Sequence, residues 1–266
     1  TPAGRCVPAF MFVLGLAVIN PNAAAEPIEA AAVSAISRIP DLPELGDVEA
    51  AQRLNILGHE AYQAGRLVEA AALWHSALTI DPSHAIAHYN LACALSLLMP
   101  AAPGGEDYLA SIVYHLKQSV VLRPDRIRRI GEDPDLNRVR DREEIRLIMI
   151  GPNPDSESVL SAAIMWRRVD EDRFTPSDQL EFDSNHHVRF RHDIEGLRGA
   201  ADNPDLPDQS FTGHWAADGK QLVILTDAGR TITGIVSLSF DEHGFVSERS
   251  VYLNGIGTYG CGDTSY

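Results

Sequence analysis

Cysteine is scarce in this sequence: three in 266 residues, none spaced as a metal-binding pair. No phosphate-cradling glycine loop appears, and no serine nucleophile elbow, so the common nucleotide-binding and hydrolase signatures are missing. Cations are also few. Lys and Arg number 22 against 37 Asp and Glu, a net charge of −15 with a pI near 5.0. That surface repels nucleic acid phosphates and anionic membranes, so neither is expected as a partner. Long apolar runs are missing as well. The most apolar stretch, residues 6–19, falls short of the roughly 20 residues of an ordinary membrane span.

That stretch has a different meaning. Arg5 precedes it, and Pro21-Asn22-Ala23-Ala24-Ala25 closes it with small residues before Glu26. This is the order of a secretory signal peptide, with cleavage expected after Ala25. The expected destination is secreted or periplasmic, with no membrane contact beyond the signal. An uncleaved N-terminal anchor is the alternative. Cys6 stands ahead of most of the apolar run, the wrong place for a lipoprotein cysteine. The remaining cysteines are Cys93 and Cys261. Export makes a disulfide between them conceivable. Cys93 sits between two alanines on a helix, where a buried free thiol is the simpler expectation.

Hydrophobic residues make up 45% and charged residues 22%, a globular composition with room for two modest domains. The expected division is a signal at 1–25, a leader at 26–47, a helical domain at 48–150, a linker at 151–159 and an antiparallel β domain at 160–266.

The helical domain is organised around residues 51–98. Leu54, Leu57, Gly58 and Ala61 recur at three- and four-residue spacing, one face of a helix. Gly58 costs that helix roughly 1 kcal/mol and lets its partner approach closely. Gly65 suits a left-handed C-cap. Ala70, Trp74 and Ala77 share a face of the next helix, which Asp81-Pro82 ends. Ala85 restarts the pattern with Tyr89, Leu91, Ala92 and Leu95. Pro100, Pro103 and Gly104-Gly105 interrupt it, and helix resumes at about Tyr108.

Leu54, Leu57, Gly58, Ala61, Ala70, Trp74, Ala77 and Pro82 fall where the tetratricopeptide repeat family places its signature residues. The stretch resembles one repeat of about 34 residues and the first half of another. Asp133-Pro134-Asp135-Leu136 and the helix after it resemble the closing half-repeat of bacterial arrays of this family, with Arg138, Arg140, Arg142, Glu143 and Arg146 as its polar outer face. The resemblance implies a concave groove that binds a peptide or protein. Its expected partner-binding residues are Asn55, His59, Tyr62, Tyr89 and Asn90, with Gln52, Gln63, Ile86 and Ser96 alongside. Some family members clamp a peptide carboxylate with lysines and asparagines. Here the lysines are missing and His59 replaces an amide.

After Gly151-Pro152-Asn153-Pro154 the period changes to two. Leu180 and Phe182, Val188 and Phe190, then Ile232, Val236, Leu238 and Phe240 mark strands, and residues 222–225 form a continuous apolar run. Asp218-Gly219, residues 227–230 and residues 241–244 mark tight turns. Seven or eight short strands in a meander can curl into a small barrel. Trp166, Leu180, Phe182 and Asp183 loosely resemble the strand and hairpin of small lipocalin-like domains in exported bacterial proteins. That implies a small apolar ligand in the β domain.

The expected fold is therefore α+β in two domains, helical hairpins followed by an antiparallel β-barrel or β-meander. The expected function is an exported scaffold that binds a protein or peptide, without catalytic residues, cofactor or metal. His84 and His88 stand four apart, a metal-type spacing, but exposed repeat-face histidines explain them more simply. His186, His187 and His192 cluster near Asp183 and Asp193, yet strand alternation sends His187 and His192 to opposite faces. The alternatives are an enzyme or small-ligand binder with its site in the barrel, using His187 or His214, and a structural envelope component.

Overall fold

The structure is a computed structural model. It describes residues 45–99, 105–162, 164–168, 178–191 and 210–260, with 37, 39 and 42 ahead of them. The signal segment, most of the leader, His192, Asp193 and Cys261 lie outside the described residues. Seven α-helices precede eight strands among them. None of these helices is long and apolar enough to cross a membrane.

The helices are α1 (Asp47–Gln63), α2 (Leu67–Ile80), α3 (Ala85–Leu98), α4 (Gly105–Leu122), α5 (Arg126–Glu132), α6 (Glu143–Met149) and α7 (Ser156–Ser161). A 3₁₀ turn, Pro134–Leu136, separates α5 from α6. Helix α1 buries Ala51, Leu54, Gly58 and Ala61 against α2. A Cβ on Gly58 would lie 2.6 Å from Trp74 Nε1, so the bare glycine is what lets the indole of α2 lie on α1. The same nitrogen donates to the Asn55 carbonyl at 3.2 Å. Gly65 ends α1 with φ +74°; its N–H donates to Tyr62 O and that of Arg66 to Ala61 O, a Schellman closure. The chain is thereby turned back into α2. Helices α3 and α4 form the second antiparallel pair. Ile130, Leu136, Val139, Ile145 and Ile148 of the closing segment join the same core.

The β domain is a closed barrel in simple meander order: β1 (Met165–Arg168), β2 (Gln179–Phe182), β3 (His187–Arg191), β4 (Phe211–Asp218), β5 (Gln221–Thr226), β6 (Thr231–Phe240), β7 (Val246–Leu253) and β8 (Gly257–Gly260). Every neighbouring pair is antiparallel, and β8 returns to β1 with Arg167 opposite Gly260. Closure leaves no open sheet edge. Burial alternates strictly along β5 and most of β6. The inward side chains include Trp166, Leu180, Phe182, Phe190, Trp215, Ile224, Val251 and Tyr259, and they pack on one another as one buried cluster. Trp166 and Trp215 each meet Phe182 edge-on, at 6.3 and 5.7 Å.

The segment expected as a linker carries α7, whose Val159 and Leu160 sit in the barrel core. The two halves also interlock at the β6–β7 turn. Phe245, just past that turn, is 1% exposed and belongs to the helical core. Lys117 of α4 pairs with Asp241 of the turn at 2.8 Å and lies over the Phe245 ring. From the barrel side, buried Arg249 pairs with Glu143 of α6 and covers Trp166.

Candidate functional site

The inward face of the first hairpins is where the candidate partner-binding residues gather, and the chain's own closing turn lies on it. Asp133 ends α5 and its Oδ1 accepts the Asp135 N–H, which tightens the turn. Arg140 braces it from behind, donating to the carbonyls of Ile130 and Asp133. The two carboxylates then meet the hairpins. Tyr62 donates its hydroxyl to Asp135 Oδ2 at 2.7 Å, and Tyr89 donates to Asp133 Oδ2 at 3.0 Å. Cys93, one helical turn beyond Tyr89, directs its sulfur to the same Asp133 oxygen at 4.0 Å. Arg126 and Arg129 stand over the Tyr89 ring at 5.2 and 5.8 Å.

Each of the five expected residues has a definite place. Tyr89 and Asn55 are buried, so neither presents its side chain to a partner in this conformation. Asn90 donates to Asn55 Oδ1 at 3.2 Å. Tyr62 is half-buried under Asp135. His59 is exposed, stacked near Tyr62 and within 3.0 Å of Gln63. The exposed part of this face is its rim, with His59, Gln63 and Gln52.

The electrostatics follow from crowding. Hydrogen bonding to Asp135 and then burial hold the Tyr62 hydroxyl protonated far above the ordinary tyrosine range. Burial, with Cys93 and Asp133 beside it, does the same for Tyr89. Burial, then Asp133 and Asp135, push the Cys93 thiol up. Ligand atoms of Cys93, Asp133 and Asp135 all lie within 4.8 Å of one another. Among the described residues this is the one three-residue group with metal-ligand convergence. Sequence spacing could not reveal it, because forty residues separate Cys93 from Asp133.

The histidines divide differently from the expectation. His84 caps α3, its Nδ1 accepting the Ala87 N–H, and reaches Gln52 with Nε2. His88 is buried rather than exposed. Its Nε2 lies 3.0 Å from the Pro82 carbonyl and must donate to it, so its Nδ1 accepts from His115 Nδ1 at 2.8 Å. The His84–His88 pair therefore faces separate partners. In the β domain, His187 and His214 are cross-strand neighbours on the outside of the barrel, rings 4.8 Å apart. Neither points into the interior.

Comparison with protein-family models, with curated proteins and with solved structures gives no match for the chain.

Proposed function

We propose that this chain is an exported, non-catalytic binding protein whose tetratricopeptide-like helical layer docks a peptide or loop of a partner protein. The observation that carries this reading is the inward face of the α1–α3 hairpins. There, Tyr62 and Tyr89, beside the Asn55–Asn90 amide pair, hold the chain's own acidic closing turn, a short segment that is not part of the hairpins. Stacked hairpins form such concave surfaces because successive pairs are rotated slightly. The Gly58–Trp74 packing and the Gly65 closure support the family resemblance. The barrel is best read as a platform, since the buried aromatic cluster of its interior would compete with a small apolar ligand for the same volume.

A partner segment would extend from the closing turn along the rim formed by His59, Gln63 and Gln52. Uncharged amides and an imidazole there suit backbone groups of a peptide. The test is affinity capture from envelope extract with wild type and a His59→Ala, Gln63→Ala double variant of equal helicity. The reading expects partners that wild type retains and the double variant loses. Identical partners in identical amounts would overturn it. Export is tested by the N-terminal mass of protein from its native compartment, expected to begin at Glu26; retention of residues 1–25 would refute it.

A further inference from the structure

We propose that Cys93, Asp133 and Asp135 form a binding site for one zinc-class divalent cation, seated between α3 and the closing turn. The three donor atoms come from two separate elements and converge within 4.8 Å of one another, so a small closing movement would bring all three to the ligand distances of one ion, about 2.0–2.3 Å. The thiol is the independent observation. Cys93 is nine-tenths buried and aimed at the carboxylates, its S–H, a weak donor, reaching Asp133 Oδ2 through a long contact of 4.0 Å. An ion between the sulfur and the two carboxylates would replace that weak contact with a direct thiolate bond.

The donor chemistry selects the ion. One thiolate and two carboxylates suit zinc, which takes mixed sulfur and oxygen ligands and is held by three protein groups where a fourth position stays open. Calcium and magnesium require more oxygens than this site offers and no sulfur. Tyr62 and Tyr89 already donate to Asp135 and Asp133. Hydroxyl donors of that kind orient ligating carboxylates in metal sites. Three anionic ligands around a divalent ion leave surplus negative charge, and the guanidinium groups of Arg126 and Arg129 over Tyr89 are placed to offset it. Binding releases the Cys93 thiol proton to solvent. Both aspartates are half-buried rather than sealed, so an ion can enter from the groove. The occupied site would tie the closing turn to α3, independently of whether the rim binds a partner.

The experiment is a cobalt(II) titration of the full chain after chelator treatment, followed by displacement with zinc. One equivalent is expected to bind with a thiolate-to-cobalt charge-transfer band. A Cys6→Ser, Cys261→Ser variant should keep the band and Cys93→Ala should lose it. Asp135→Asn should weaken binding roughly tenfold or more. If Cys93→Ala fails to fold, alkylation of wild type decides: zinc is expected to slow modification of Cys93, read by peptide mass. No charge-transfer band in wild type, a band that survives in folded Cys93→Ala, or alkylation of Cys93 indifferent to zinc would each overturn the proposal. Loss of partner capture with the band intact would count against the partner reading alone.

Discussion

Trp74 is the side chain that the first hairpin is built around. It is 2% exposed, rests on Gly58 and donates its indole N–H to Asn55. Trp74→Ala should destabilise the protein by about 3–5 kcal/mol, the usual cost of deleting a large buried aromatic. Chemical denaturation followed by far-ultraviolet circular dichroism measures it, and a change under about 1 kcal/mol would contradict the packing. His115 makes a second residue-scale case. Burial first, then the neighbouring His88 and His75, pull its titration down to about 3. Burial also lowers that of His88. The unfolded chain protonates these rings near the ordinary value of 6.5. Between pH 6.5 and 3 the unfolded chain therefore binds more protons, and stability must fall as pH falls through that window. Asp81, held low by its bond from Ser83, and half-buried His84 also face this corner of α2–α3. Their presence makes the variant comparison necessary. Denaturation at pH 7 and 4.5 should show a smaller loss for His115→Phe than for wild type. Equal losses would show that the ring is not held neutral.

At the scale of elements, what could be read from the sequence follows the range of the forces that set it. The ends of α1 and α2 were legible, because Gly65 and Asp81-Pro82 act through neighbouring backbone. The barrel strands were legible because the apolar run at residues 222–225 and the alternation at Leu180–Phe182, Val188–Phe190 or Ile232–Val236 mark buried faces between short turns. The closing segment after α5 was legible as an element but not in its destination. Nothing near Asp133 or Asp135 says that their carboxylates will meet Tyr89 and Tyr62, 44 and 73 residues back. The burial of His88 was hidden for the same reason, since its partner His115 lies on another helix. Phe245 reads as a residue at a hairpin end, yet it serves the other domain's core. The closing turn itself can be tested. Arg140 holds the carbonyls of Ile130 and Asp133, and hydrogen bonds from a charged group contribute about 1.5–3 kcal/mol. Arg140→Ala should cost up to that amount and raise hydrogen exchange at residues 133–139 ahead of the rest of the helical layer. Unchanged exchange there would mean that the brace is idle.

Across the whole molecule, the decisive contact is the β6–β7 turn driven into the helical core. A short hairpin normally ends in solvent, but here Asp241 accepts the N–H groups of His243 and Phe245 at 3.0 Å, folding the turn so that the phenyl ring points away from the barrel. Phe245 then loses nearly all its exposure among helical residues, with Lys117 over its face. The Arg249–Glu143 pair and the Asn153 N–H to Gly244 carbonyl bond, 2.7 Å, fix the junction at two more points. Leu147 of α6 reaches the barrel core in return. Each domain therefore completes part of the other's interior, and local unfolding of one exposes apolar surface of both. Calorimetry of the wild type should give a single transition, with its van't Hoff and calorimetric enthalpies equal. Phe245→Ala removes a buried aromatic at a cost of about 3–5 kcal/mol. Because that loss falls on the junction rather than within either domain, the variant should melt in two steps, the helical layer reported by circular dichroism at 222 nm and the barrel by near-ultraviolet signals of Trp166 and Trp215. Two separate transitions already present in the wild type would show that the interlock does not couple the domains. A single transition in the variant, merely shifted downward, would place the coupling in Arg249 and Asn153 instead of Phe245.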